Sequence, residues 1–148
     1  MNIFDALKDD HRTQRSLANT ILRTEGKSKD RQSVYEKLRT ELKAHARSEE
    51  RFFYAILLHD DLTQQKSRHS LAEHNEIDEM ISKLDETDMT SSAWMIYYKQ
   101  LRELIFHHLE EEERQIFQLA GKVLSEKQKE ELAGSYKKLV EEGRRELD

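Results

Sequence analysis

The segment HARSEERFFY at residues 45–54 returns 63 positions later (108 − 45) as HLEEEERQIF at residues 108–117. Both open with H-x-x-x-E-E-R. The same offset relates His11 to His74, Tyr35 to Tyr98, Leu38 to Leu101, Arg39 to Arg102, Glu49 to Glu112, Glu50 to Glu113 and Arg51 to Arg114. In each half the leading histidine precedes the second by 34 residues (45 − 11 and 108 − 74). Residues four apart share a face of an α-helix, so His45 with Glu49, and His108 with Glu112, each set an imidazole beside a carboxylate. Each pair is a two-point metal ligand.

Composition favours helices for this repeat. The 148 residues include no proline, four glycines and 37% charged residues, with Glu, Lys, Leu, Arg and Gln abundant. We expect an all-α chain: an up-and-down antiparallel four-helix bundle over residues 1–121, and an amphipathic helix over 122–148 that packs on the bundle or forms a homodimer contact. The absence of cysteine excludes disulfides, thiolate zinc sites and cysteine-held iron–sulfur clusters, leaving histidine and carboxylate as metal ligands. A net charge of −5 without a basic face argues against nucleic acid. The apolar run at residues 52–58 is too short for a bilayer and the N-terminus MNIFDALKDD is acidic, so a cytoplasmic location is expected.

Along the chain, Asn2 caps a first helix that ends near Gly26 and turns Phe4, Leu7, His11, Ala18 and Ile21 inward. A second helix runs from about residue 31 to 59, with Val34, Leu38, Leu42, His45, Glu49, Phe53 and Ile56 on its inner stripe. Asp61 with Gln64 has the form of a capping box opening a third helix, which carries His74, Ile77, Ile81 and Leu84 and ends near Leu84. The polar stretch DETDMTSS precedes a fourth, with Trp94, Tyr98, Leu101, Ile105, His108, Glu112, Ile116 and Leu119 inside and Gly121 as its stop. Ser125 and Gln128 form a second capping box before a fifth helix with Leu132, Tyr136 and Leu139.

If the two helical hairpins are related by a pseudo-twofold axis, His11, His45, Glu49, His74, His108 and Glu112 converge. The competing reading is a hydrogen-bonded polar core. Two carboxylates on apolar stripes favour metal, because burying each costs several kcal/mol unless it is paired or ligated. His107 with Glu111 offers a rival register, but only His108 and Glu112 keep the offset, so His107 is read as lying outside the ligand set. His59 suits a helix C-terminus. Glu50, Arg51, Glu113 and Arg114 are expected to form solvated charge networks. Tyr35 and Tyr98 are core residues or hydrogen-bond donors near the metals.

A histidine after an acidic residue, followed by H-x-x-x-E-E and repeated once, resembles the haemerythrin-like HHE cation-binding family over about residues 3–120. The resemblance implies a non-haem di-iron centre in which His11, His45, Glu49, His74, His108 and Glu112 are ligands and the two carboxylates bridge. Zinc or manganese are the alternative occupants. With two six-coordinate irons and a bridging oxygen, about two of roughly twelve positions stay open for a small diatomic or peroxide ligand. The implied roles are binding or sensing oxygen, nitric oxide or peroxide, or iron handling; the alternatives are a detoxifying or iron–sulfur-repair enzyme, or a helical module whose metal is structural. This chain departs from the family's oxygen carriers. Where they place an extra histidine, position 70 is serine, and His69 lies about 140° around the helix from His74, reaching the site as a seventh ligand only through a local bulge. A glutamate follows the last-helix histidine at four residues, not an aspartate at five. The cysteine-bearing segment of the iron–sulfur-repair branch and the proline that often follows the motif are both missing.

Overall fold

The computed structural model describes residues 1–147, and five helices account for most of them. We label them α1 (Ile3–Ile21), α2 (Lys29–Glu49, continuing through a π-helical turn Glu50–Tyr54 into Ala55–Leu57), α3 (Gln64–Asp85), α4 (Ser92–Glu111, a π-helical turn Glu112–Ile116, then Phe117–Val123) and α5 (Glu126–Leu147). No strand occurs among the described residues, and no helix is long and apolar enough to cross a membrane. Helices α1 to α4 form the up-and-down bundle: α1 packs on α2, α3 on α4, and α5 lies against α2 and α1.

The helix starts follow from local chemistry. Asn2 and Asp5 form a reciprocal capping box on α1, Ser28 accepts from the Arg31 amide at the start of α2, and Ser91 accepts from Ala93 at the start of α4. Ser125 and Gln128 exchange backbone bonds ahead of α5, as the sequence predicts. The expected box at Asp61 and Gln64 does not form. The Asp60 carboxylate takes the Leu62 amide instead, and the buried Thr63 hydroxyl donates 2.7 Å to the Leu57 carbonyl, so the turn is tied back onto the end of α2. α1 stops at Ile21, ahead of Gly26, whose positive φ of 51° serves the connecting turn. α4 runs through Gly121 and ends where Leu124 turns extended.

The two π-helical turns correct the expected stripes in the same way. A π turn accommodates one residue more than an α turn, so the buried face moves on by one position. Beyond Glu49, Phe53, Tyr54 and Leu57 are buried while Ile56 is only partly so; beyond Glu112, Ile116, Phe117 and Ala120 are buried while Leu119 is not.

The core divides into two apolar clusters. One gathers Ile3, Leu7, Phe53, Leu57, Ile116 and residues of α5; the other gathers Ile21, Leu38, Ile81, Trp94 and Leu101. Along every bundle helix the histidines and glutamates of the repeat fall between these clusters, forming a buried polar layer. Tyr35 and Tyr98 belong to the second cluster, where their hydroxyls bond Asp85 and the Ala18 carbonyl, so neither serves the polar layer.

Candidate metal centre

All six predicted ligands meet in the polar layer, and none is more than 6% exposed. His11 Nε2 lies 3.0 Å from Glu112 Oε1, and His45 Nε2 lies 3.3 Å from Glu49 Oε2. Across the layer, His74 Nε2 is 3.1 Å from Glu49 Oε1 and His108 Nε2 is 3.6 Å from Glu112 Oε2. Each carboxylate therefore turns one oxygen to each histidine pair. Two four-donor groups result, His11, His45, Glu49, Glu112 and His74, His108, Glu49, Glu112, with the donor atoms of each within 4.8 Å of one another. Glu49 and Glu112 thus lie between the two histidine pairs.

His11 Nε2, His45 Nε2, both oxygens of Glu49 and Glu112 Oε1 are buried with no hydrogen-bond partner. An orphaned buried polar atom costs about 1–3 kcal/mol, and more when charged. Five such atoms facing one another are best satisfied by cations between them, so the donor set fits metal ions. Without metal, His45 and His74 hold protons against their burial. Burial alone would lower their pKa values, but the charge of Glu49 and the nearby Asp10 carboxylate raise His45 to about 10, and the carboxylates of Glu49 and Glu50, 3.1 Å and 2.9 Å from its ring nitrogens, raise His74 to about 10. Glu49, which burial alone would push up, is held well below the carboxylate range by His45 and His74.

A second set of carboxylates orients the rings. His11 Nδ1 lies 2.6 Å from Glu113 Oε2, and His74 Nδ1 lies 2.9 Å from Glu50 Oε2. His108 Nδ1 lies 2.9 Å from Glu73 Oε1. A carboxylate at Nδ1 holds the proton there and leaves the Nε2 lone pair free for a metal. Beyond the solvated network expected of them, Glu50 and Glu113 thus reach buried histidines, Glu50 while remaining exposed; Arg15 forks onto Glu113 with two 3.1 Å bonds. Burial alone would raise Glu113, but His11 and Arg15 bring it down to about 2.

The fourth ring breaks the symmetry. The counterpart of Glu73 at the 63-residue offset is Asp10, yet Asp10 Oδ2 stands 3.8 Å from His45 Nδ1. The Tyr136 hydroxyl fills the gap, accepting from His45 Nδ1 at 2.5 Å and donating to Asp10. Arg144 locks this arrangement, bonding Asp10 at 2.8 Å and Glu41 at 2.7 Å and 2.9 Å. In the other half the Tyr54 hydroxyl donates 2.5 Å to Glu112 Oε2 and accepts 2.7 Å from Ser70. Position 70 therefore serves the layer through a tyrosine. His69 and His107 are exposed on the outer faces of α3 and α4 and reach neither donor group, and His59 is exposed beyond α2.

The sequence carries a signal for the role of Asp10, Glu50, Glu73 and Glu113 beside the rings: an acidic residue directly before each leading histidine and directly after Glu49 and Glu112, at the repeat offset. Tyr136 lies outside the repeat and had no such signal.

A cavity of about 20 Å³ touches the layer and is lined by His45, His74, His108, Gln14, Leu42, Ile77, Ile105, Leu109, Ala46 and Asp78. Gln14 with Ile77, Leu42 with Ile105, His45 with His108 and Ala46 with Leu109 are related by the 63-residue offset, so the cavity sits on the pseudo-twofold axis. Asp78 is exposed and marks the side that meets solvent. Gln14 is 1% exposed, and its Nε2 has no partner. A larger groove of about 680 Å³, lined by Tyr35, Arg39, Asp85 and Met89 among others, is open surface remote from the histidines.

The family model described as "Hemerythrin HHE cation binding domain" matches residues 2–120. Among solved structures, a hemerythrin HHE cation-binding domain-containing protein from Mycobacterium kansasii superposes with a TM-score of 0.89 at 22% identity, over 99% of this chain and 89% of that one. It shares the fold, including the helix beyond the bundle. No curated protein matches.

Proposed function

This chain belongs to the haemerythrin HHE cation-binding domain family, and from that premise we propose that its polar layer holds two non-haem iron ions for binding or sensing a small oxidant. His11 and His45 would hold one ion, His74 and His108 the other, with Glu49 and Glu112 shared. Bound iron supplies open coordination positions and reversible electron transfer. The observation that carries the reading is the axial cavity. It reaches three of the four imidazoles, and its 20 Å³ admits one or two water-sized molecules. Organic substrates need hundreds of cubic ångströms, so dioxygen, nitric oxide and peroxide are the compatible class.

The residues around the cavity have defined tasks in this reading. Leu42, Ile77, Ile105 and Leu109 exclude bulk water, and Gln14 offers an amide N–H with no other partner to the distal atom of the guest. Glu113, Glu50, Glu73 and Tyr136 hold the Nδ1 protons, fixing all four rings for ligation. A catalytic version, turning over peroxide or nitric oxide, is favoured by the Ser70, Tyr54 and Glu112 chain, in which the phenolic hydroxyl oxygen donates to Glu112 Oε2 from 2.5 Å away. The same buried centre would also suit iron handling.

Metal analysis after anaerobic Fe(II) loading tests the proposal. About two irons per chain are expected, and a near-ultraviolet oxo-bridge band once the loaded protein is exposed to air. Protein that stays metal-free after loading, or fills with zinc in preference to iron, sinks it. Sustained peroxide consumption by the loaded protein would identify an enzyme; stoichiometric binding alone would identify a carrier or sensor.

A further inference from the structure

Outside the buried layer, the outer faces of α3 and α4 bring together two further histidine–glutamate pairs, each spaced i, i+4: His69 with Glu73, and His107 with Glu111. The pairs interlock across the helices. His69 Nε2 is 3.5 Å from Glu73 Oε2 and 3.4 Å from Glu111 Oε1, while His107 Nε2 is 3.5 Å from Glu73 Oε2 and 3.0 Å from Glu111 Oε2. We propose that His69, Glu73, His107 and Glu111 form a third, solvent-facing site for a divalent transition-metal ion, separate from the two buried donor groups.

Surface imidazole–carboxylate contacts are common and weak. Three features distinguish this cluster. Its carboxylates are set into the surface, with side chains only 12% and 15% exposed, while the imidazoles above them are 55% and 67% exposed and so reachable by an ion from solvent. Among the described residues neither Glu73 nor Glu111 pairs with a lysine or arginine, so two negative charges converge on one spot without a fixed cation. Two imidazole nitrogens and two carboxylates also make a donor set suited to zinc, manganese, cobalt or ferrous iron, with positions left for water.

The other half of the repeat has no such cluster. The counterparts of His69, His107 and Glu111 are Ala6, Ala44 and Ser48, and Ala6 and Ala44 are buried in the apolar cluster that contains Ala133, Tyr136 and Val140 of α5. Where α5 covers the bundle the positions are small; where the bundle meets water they carry metal-type donors. Glu73 also connects the outer cluster to the buried centre, since its Oε1 holds His108 Nδ1 while its Oε2 faces His69 and His107. An ion captured at the surface would therefore lie one carboxylate away from a buried histidine.

Equilibrium dialysis against Co(II) under anaerobic conditions, comparing the full chain with the His69→Ala/His107→Ala double variant, tests the site. The wild type should take up about three ions, one of them released by a brief desalting step, and the variant should lose that labile ion while keeping the retained ones. Both substituted side chains are more than half exposed, and circular dichroism checks that the helices persist. A wild type without a labile ion, or a variant that still binds it, overturns the proposal. Retained and labile ions are counted separately, so a buried centre that fails to fill would leave this comparison intact.

Discussion

The two halves of the polar layer carry the same ligands and differ in what covers them. The half built on His11 and His45 lies under α5: Tyr136 stands between His45 and Asp10, and Arg144 ties Asp10 to Glu41. The half built on His74 and His108 has no fifth helix above it. There Glu73 reaches His108 directly at 2.9 Å, and the surface outside carries His69 and His107. The repeat places the histidines and glutamates twice, but α5 covers and braces one half only and leaves the outer surface of the other exposed. The close passage of α5 over α2 explains the small residues beneath it, since a Cβ on Gly143 would stand 2.9 Å from the Ala44 Cβ.

The largest effect should come from breaking what the halves share. Glu112→Ala removes a donor from both groups and should lower iron from about two per chain to below one, whereas His108→Ala spares the first half and should leave about one, both read by metal analysis after anaerobic loading. Two ions retained in Glu112→Ala would mean that the carboxylate is not shared.

A finer cut separates the halves by what supports their rings. Tyr136→Phe should weaken only the ion held by His11 and His45, and Glu73→Gln only the other, each by about 10–100-fold in a chelator competition. In a His108→Ala background, Tyr136→Phe should still matter and Glu73→Gln should not. Tyr136→Phe should also cost about 1–3 kcal/mol of stability, because Asp10 and His45 lose the hydroxyl that joins them.

Acidity should act on metal-free and loaded protein in opposite directions. Burial works against protonation of His45 and His74, but their carboxylate partners raise both to about 10 from an ordinary 6.5. Their contribution to the metal-free fold is complete below pH 6.5 and is lost as the pH rises through about 10, so its thermal midpoint should fall over that range. The loaded protein should instead lose metal on acidification, as protons displace iron from the imidazoles. A metal-free midpoint that rises between neutral pH and pH 10 would contradict the pairing of histidines with Glu49. The smallest effect is expected at His59, which lies outside both halves: His59→Ala should keep both buried ions and shift the thermal midpoint by no more than about 2 °C.

The buried histidine–glutamate layer was readable from the chain because i, i+4 spacing puts both side chains on one helix face, and repetition at a constant offset singles out His108 and Glu112 over the adjacent His107 and Glu111. Helix starts were readable where a side chain caps its own backbone, as at Asn2 and Ser125, and misread at Asp61, where Asp60 and Thr63 compete for the turn. The stripes hold as far as Phe53 and Ile116 and then slip by one residue, to Leu57 and Ala120, because a π turn adds a residue and no local propensity marks it.

By itself the sequence determined an all-helical duplicated bundle and the six residues that meet at its centre, since helical period and the cost of burying unpaired carboxylates leave few other arrangements. Only the tertiary structure decided which oxygen of each glutamate faces which histidine, that Tyr136 from α5 completes the support of His45, and that a cavity of about 20 Å³ lies on the pseudo-twofold axis. The docking of separate helices decides these placements, and contacts between residues 91 positions apart, such as His45 and Tyr136, leave no periodic trace along the chain.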